Sequence, residues 1–122
     1  MPFSIQILIN NYMKKDYIYI IINDLGYVKI GVSKNPNQRL KQLQTGNQSK
    51  LSLLFTEEFE CDRKHLLDIE NYIHKNCSYL CKIVKGEWFN IEQDNIEDLC
   101  RFVTYCRIRY EDDITFGRNK CR

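Results

Sequence analysis

The chain contains no alanine and only two prolines and five glycines among its 122 residues. Missing alanine, set against abundant isoleucine, asparagine and lysine, points to an AT-rich coding sequence of the kind phages and viruses carry. No apolar run approaches the roughly 20 residues that a membrane-spanning helix needs. The first ten residues lack a charged segment followed by a long apolar one, so no secretory leader is expected. Strong charge of either sign is also missing: the formal net charge is +2. Nucleic acid is therefore permitted as a partner but not demanded by charge. No internal repeat and no linker divides the chain, so a single domain, 1–122, is expected.

What is present suits a globular core, with 43% hydrophobic and 28% charged residues. The cysteines Cys61, Cys77, Cys81, Cys100, Cys106 and Cys121, in a chain without a leader, imply a reducing intracellular setting, cytoplasmic or nuclear in a host cell, and mostly free thiols. A structural zinc site usually shows two tight ligand pairs. Only Cys77 and Cys81 make one here, with His65, His74, Cys61 and Cys100 as remoter candidates, so structural zinc is not expected.

Period and punctuation give the elements. Tyr17–Asn23 is a β-branched and aromatic run, too short for a helix and apolar on both faces, hence a strand. The turn Asp24-Leu25-Gly26 leads to a second strand, Tyr27–Ser33, and a turn this short makes an antiparallel hairpin. Asn35 as N-cap and Pro36 at the first helical position start a helix with Leu40 and Leu43 inward, ended at Gly46 and Asn47. Leu51–Phe59 reads as a third strand, with Leu51, Leu53 and Phe55 on one face. The longest helix is expected over about Asp62 to Asn76, with Leu66, Ile69 and Ile73 inward. Residues 77–85 read as a loop and 87–91 as a short strand or loop. A last helix runs from about Ile96 to Arg107, capped at Asp94 or Asn95, with Leu99, Phe102, Val103 and Cys106 inward; the polar end 111–122 is expected to fray. Met1–Lys15 holds alternating Ile5, Ile7 and Ile9 that could add a strand. The fold class is α+β: helices on a small, mainly antiparallel three-stranded sheet, in the order β-β-α-β-α, then a short strand or loop and a C-terminal helix.

Five sequence pieces stand in order within this frame. They are Tyr17-Ile18-Tyr19; Val28-Lys29-Ile30-Gly31; Arg39-Leu40-Lys41-Gln42-Leu43-Gln44-Thr45-Gly46-Asn47, with Arg39 eight positions after Gly31; and Glu70 with His74, followed by Gly86-Glu87-Trp88-Phe89. Together they resemble the GIY-YIG nuclease superfamily, in its phage- and virus-enriched branch, over a core of about 16–91. Tyr17 stands where most members have glycine, and Lys29 where they have tyrosine.

The resemblance implies a phosphodiester-cutting endonuclease acting on nucleic acid, with DNA the expected substrate, and one Mg²⁺ or Mn²⁺ held by Glu70. The chemistry suits the residues. Magnesium takes oxygen ligands and keeps most of its waters, so one carboxylate plus substrate phosphate can hold it. Arg39 can fork onto a phosphate. Tyr19, and with it Tyr17, can hydrogen-bond the attacking water. Lys29 either activates that water or clamps phosphate, the clamp being favoured. Tyr27 shares Lys29's face and could replace the absent tyrosine. His74 is read as orienting Glu70, carrying a proton or touching substrate. Lys29, Lys34, Arg39, Lys41, Asn47 and Lys50 are the nucleic-acid contacts, with Asn47 alternatively a loop tie. Trp88 and Phe89 are read as closing the core, and the last helix as core cover or a homodimer surface. The rival reading is a catalytically silent nucleic-acid-binding module; a remoter one is a zinc-stabilised interaction protein built on the cysteines.

Overall fold

The computed structural model describes the backbone of residues 15–80, 82–85 and 88–115, and the side chains of 15–77 and 88–112. The alternation at Ile5–Ile9, Cys81, Gly86-Glu87 and the tail 116–122 lie outside the described residues. The elements are β1 (Lys15–Asn23), β2 (Tyr27–Ser33), α1 (Pro36–Gln44), β3 (Leu51–Glu60), α2 (Arg63–Leu80), β4 (Lys82–Lys85), β5 (Trp88–Asn90) and α3 (Gln93–Thr115). The strands form one five-stranded sheet in the order β3-β1-β2-β5-β4, and every pairing is antiparallel. The α+β class expected from sequence is what the chain adopts, with a sheet wider than the three strands expected.

Local chemistry explains the hairpin and the first helix. Asn23 Oδ1 accepts from the backbone N–H groups of Leu25 and Tyr27 at 3.0 and 2.9 Å, and Gly26 takes a φ of +87° that glycine adopts without steric cost. After β2, the Asn35 side chain caps α1 by accepting from Gln38 N at 3.1 Å, and Pro36 occupies the first turn. Gln44 then ties down the α1–β3 loop. Its Nε2 donates to Ser49 O and its Oε1 accepts from Leu51 N, each at 2.8 Å.

The sheet separates two apolar layers. On one face Ile18, Ile20, Val28, Ile30, Phe59 and Phe89 meet Leu66, Ile73 and Cys77 of α2 and Leu99, Val103 and Cys106 of α3. Each fully buried isoleucine, leucine or phenylalanine contributes about 1.5–3 kcal/mol. On the other face Tyr19, Ile21 and Leu51 pack with Leu40 and Leu43 of α1, Leu53 and Trp88.

Four expectations need correction. Phe55 does not share a face with Leu51 and Leu53: the β1–β3 register shifts between Ile20 and Ile21, and the extra residue sends Phe55 to the two-helix layer and leaves Leu54 exposed. α2 runs through residues expected to be loop, because Cys77 prolongs the Leu66–Ile73 stripe by one more turn. β4 occupies 82–85, also expected to be loop, by pairing with β5. The longest helix is α3, whose 23 residues outrun the 18 of α2; Tyr110 still packs on the core and carries the helix past Arg107.

Two ion pairs brace the layers. Asp16, 1% exposed, accepts from Arg63 Nε at 2.6 Å and from its NH2 at 3.0 Å, joining β1 to the first turn of α2. Glu57 accepts from Thr104 Oγ1 at 2.7 Å and pairs with Arg107, joining β3 to α3. That pairing raises the Arg107 pKa further above its ordinary range.

Candidate active site

The hairpin brings the two strand motifs into one surface. Tyr17 lies opposite Ser33, Tyr19 opposite Gly31 and Ile21 opposite Lys29. Alternate residues share a face, so Tyr17, Tyr19, Lys29 and Gly31 lie on the side that carries α1. Tyr19 is only 2% exposed. Its ring lies across Gly31: a Cβ at position 31 would sit 2.3 Å from the phenol oxygen and 2.4 Å from Cζ. The glycine of the second motif is therefore there to let the tyrosine of the first cross β2. No described residue makes a hydrogen bond to the Tyr19 hydroxyl.

Neighbouring residues of β5 serve opposite faces. Lys29 pairs with Trp88 across the strands, and its Nζ stands 5.9 Å from the indole centroid, within the range of a cation–π attraction. Phe89 turns to the other layer and meets the His74 ring edge-on at 5.4 Å. Trp88 and Phe89, read from sequence as core closure, thus also flank Lys29 and His74.

Glu70 and His74 come from α2, on the layer opposite α1, and reach β2 at its edge. Pairing of β2 with β5 ends at Lys29. One residue on, the Ile30 carbonyl lies 3.1 Å from His74 Nε2. A carbonyl can only accept, so Nε2 carries the proton in this contact. The same nitrogen is 3.9 Å from Glu70 Oε2, one helical turn earlier, and both side chains are largely buried. Glu70 thus sits by way of His74 beside the residue that precedes Gly31.

Arg39 is exposed on α1, its NH1 3.4 Å from Gln42 Oε1. Among the described residues it pairs with no carboxylate, whereas Arg63, Arg101 and Arg107 all do. Lys34, Lys41, Asn47 and Lys50 are likewise exposed, on α1 and the segments that lead into and out of it. Asn47 acts as a loop tie, its Oδ1 accepting from Ser49 N at 2.9 Å. Tyr17 is drawn the other way from Tyr19. Its hydroxyl donates to Glu58 on β3 at 3.0 Å, and that bond is the main reason its pKa is raised. Glu58, with Lys15 Nζ at 3.9 Å, is a carboxylate on this face that sequence reasoning missed; only the β1–β3 register reveals it.

A family model, the T5orf172 domain, matches residues 16–104. The chain belongs to the T5orf172 domain family. The family is phage-associated and of nuclease type, which makes this chain a nuclease or nucleic-acid-binding module. No curated protein and no solved structure matches it. Among the described residues no helix of the T5orf172 domain is long and apolar enough to cross a membrane.

The donor set bears on metals. Among the described residues no three His, Cys, Asp or Glu side chains gather as a cage, and Cys61, Cys77, Cys100 and Cys106 form no disulfide. Burial pushes the Cys61 and Cys106 thiols up to about 11. Among the described residues Glu70 offers a hard oxygen donor beside the hairpin, Glu58 is engaged by Tyr17, and His74 Nε2 is taken up by the Ile30 carbonyl. That set fits an ion held mainly by water and substrate phosphate, as magnesium is, and not an all-protein site.

Proposed function

We propose that this T5orf172 domain is a metal-dependent endonuclease of GIY-YIG type that hydrolyses phosphodiester bonds in nucleic acid, with DNA as its substrate. The observation that carries the reading is the crossing of Tyr19 over Gly31. It holds a phenol without a protein hydrogen-bond partner among the described residues beside a strand lysine, at the junction of the two hairpin motifs.

In the reaction a water oxygen attacks phosphorus in line and gives up a proton to solvent, the bond to the leaving sugar oxygen breaks, and that oxygen takes up a proton from solvent. Tyr19 hydrogen-bonds and orients the water. Lys29, steadied by Trp88, clamps a phosphate oxygen. Arg39, with no carboxylate among the described residues to neutralise it, forks onto the phosphate and stabilises the charge that builds in the transition state. Glu70 holds the divalent ion, Mg²⁺ or Mn²⁺, whose role is to neutralise the phosphoryl oxygens. His74, anchored on the Ile30 carbonyl and against Phe89, positions Glu70. Lys34, Lys41 and Lys50 track the flanking backbone. Tyr17, engaged by Glu58, acts as a support for this face.

A second reading, a binding module that does not cut, draws on the 3.9 Å separation of His74 and Glu70: a protonated imidazole is a rival cation for the carboxylate. Incubation of supercoiled plasmid with the protein and Mg²⁺ or Mn²⁺ separates the two. Nicking or linearisation is expected, and Glu70→Ala should abolish it while the circular dichroism spectrum stays unchanged. Plasmid retardation without cutting would favour the second reading. Undiminished cutting by Glu70→Ala would remove Glu70 from the metal site.

A further inference from the structure

The outer surface of α3 carries a pattern that the site above does not use. Glu97, Arg101, Tyr105 and Arg109 succeed one another at i, i+4 spacing and so form a single ridge. The ridge is solvent-facing: Glu97 and Arg101 side chains are 74% and 72% exposed, and Tyr105 is 52% exposed. Beside it runs a groove of ≈ 350 Å³ between α3 and β3, lined by Phe55, Cys100, Thr104, Tyr105 and Ile108. Phe102 and Tyr72 extend the apolar surface, with ring centroids 6.4 Å from Tyr105 to Phe102 and 5.9 Å from Phe102 to Tyr72.

We infer that this ridge is a homodimer surface on which two copies of the chain cross antiparallel about a two-fold axis midway between Arg101 and Tyr105. The charges select that occupant and that direction. Antiparallel crossing sets Glu97 of one copy against Arg109 of the other, and Arg101 against the Tyr105 ring, each contact occurring twice, as an isologous interface requires. The first is an ion pair and the second a cation–π contact. Parallel crossing would oppose Glu97 to Glu97 and Arg101 to Arg101. Within each copy the same residues already interact, Arg101 NH2 with Glu97 Oε1 at 2.7 Å and Arg109 NH1 with Tyr105 Oη at 3.3 Å, so their heads are gathered on the ridge. α3 packs on the sheet face opposite α1. The dimer therefore leaves both α1 faces outward and accessible. The interface itself does not depend on the nuclease reading.

Sedimentation equilibrium of the full chain from about 1 μM to about 1 mM spans the affinities of weak and standard interfaces. A reversible dimer is expected. Glu97→Arg and Arg109→Glu should each lower association at least about tenfold by opposing like charges. The double variant should recover the wild-type constant within about threefold. Circular dichroism checks that each variant folds. A chain monomeric throughout, or a dimer indifferent to single reversals, or a double variant that fails to recover, overturns the inference.

Discussion

Replacing Gly31 by alanine tests the contact on which the site is built. The backbone at Gly31 is one any residue can adopt, so only the added methyl matters. That methyl would lie 2.3, 2.4 and 2.9 Å from Oη, Cζ and Cε2 of Tyr19. Restoring an ordinary separation of about 3.5 Å demands a displacement of about 1 Å or more. Tyr19 is wedged among Ile21, Leu51, Leu40 and Trp88 and cannot swing aside without disturbing them. Overpacking of this kind costs about 1–3 kcal/mol. In the proposed reaction, a shift of about 1 Å in a group that aligns the water lowers turnover about 100-fold. Urea denaturation monitored by circular dichroism, run in three backgrounds, isolates the cause. Gly31→Ala should destabilise wild type and Tyr19→Phe alike, since the phenylalanine ring keeps Cζ. It should cost less than about 0.5 kcal/mol in Tyr19→Ala, where the obstructing ring is gone. An equal loss in all three backgrounds would refute the crossing of Tyr19 over Gly31.

Other consequences are open to measurement. Arg63→Ala strands the buried Asp16 carboxylate. Losing one partner of a fully buried pair costs about 3–5 kcal/mol, and Arg63 is 44% exposed, so about 2–4 kcal/mol is expected in denaturant unfolding. Arg39→Ala should lower plasmid cutting about 10²–10³-fold and leave stability within about 0.5 kcal/mol, the pattern of lost transition-state stabilisation at an exposed site. A cutting rate within a few-fold of wild type would remove Arg39 from the chemistry. The Cys61 and Cys106 thiols are raised from 9.0 to about 11. The unfolded chain therefore gives up these protons first, and stability should fall as pH rises from about 9 to about 11. Cys61→Ser/Cys106→Ser should flatten that decline; an unaltered pH dependence would assign it elsewhere.

Much of this architecture is legible in the chain because its signals are local. The hairpin, the Asn35 cap, the Pro36 start and the Leu66–Ile73 stripe each rest on residues within a turn or two of one another. The eight-residue interval from Gly31 to Arg39 is likewise a matter of counting. The features that escape a reading of the chain depend on strands meeting across the sheet. The phase change at Leu54 exists only in the β1–β3 register. Glu58 finds Tyr17, and Asp16 finds Arg63, across separations of 41 and 47 residues. Apolarity alone assigns Trp88 and Phe89 to the core. Their division of labour between Lys29 and His74 needs the pairing of β5 with β2. Likewise β4 has no signature of its own and forms because β5 offers it a partner.

The passage from β2 into α1 works as a ruler. Ser33 Oγ accepts from Asn35 N at 3.0 Å, Asn35 Oδ1 accepts from Gln38 N, and Asn35 O accepts from Arg39 N at 3.0 Å. Strand end, helix start and guanidinium are geared together by their own neighbours, without help from the rest of the protein. Each residue added to a helix rotates the next side chain by about 100° around the axis. An added residue before Arg39 would therefore turn Leu40 and Leu43 along with it, so the guanidinium cannot be re-aimed without disturbing the apolar layer that these leucines share with Tyr19, Ile21 and Leu51. Selection on such a chain acts on a tally of positions as much as on which amino acids fill them, because one count sets both the guanidinium and the leucines beside it.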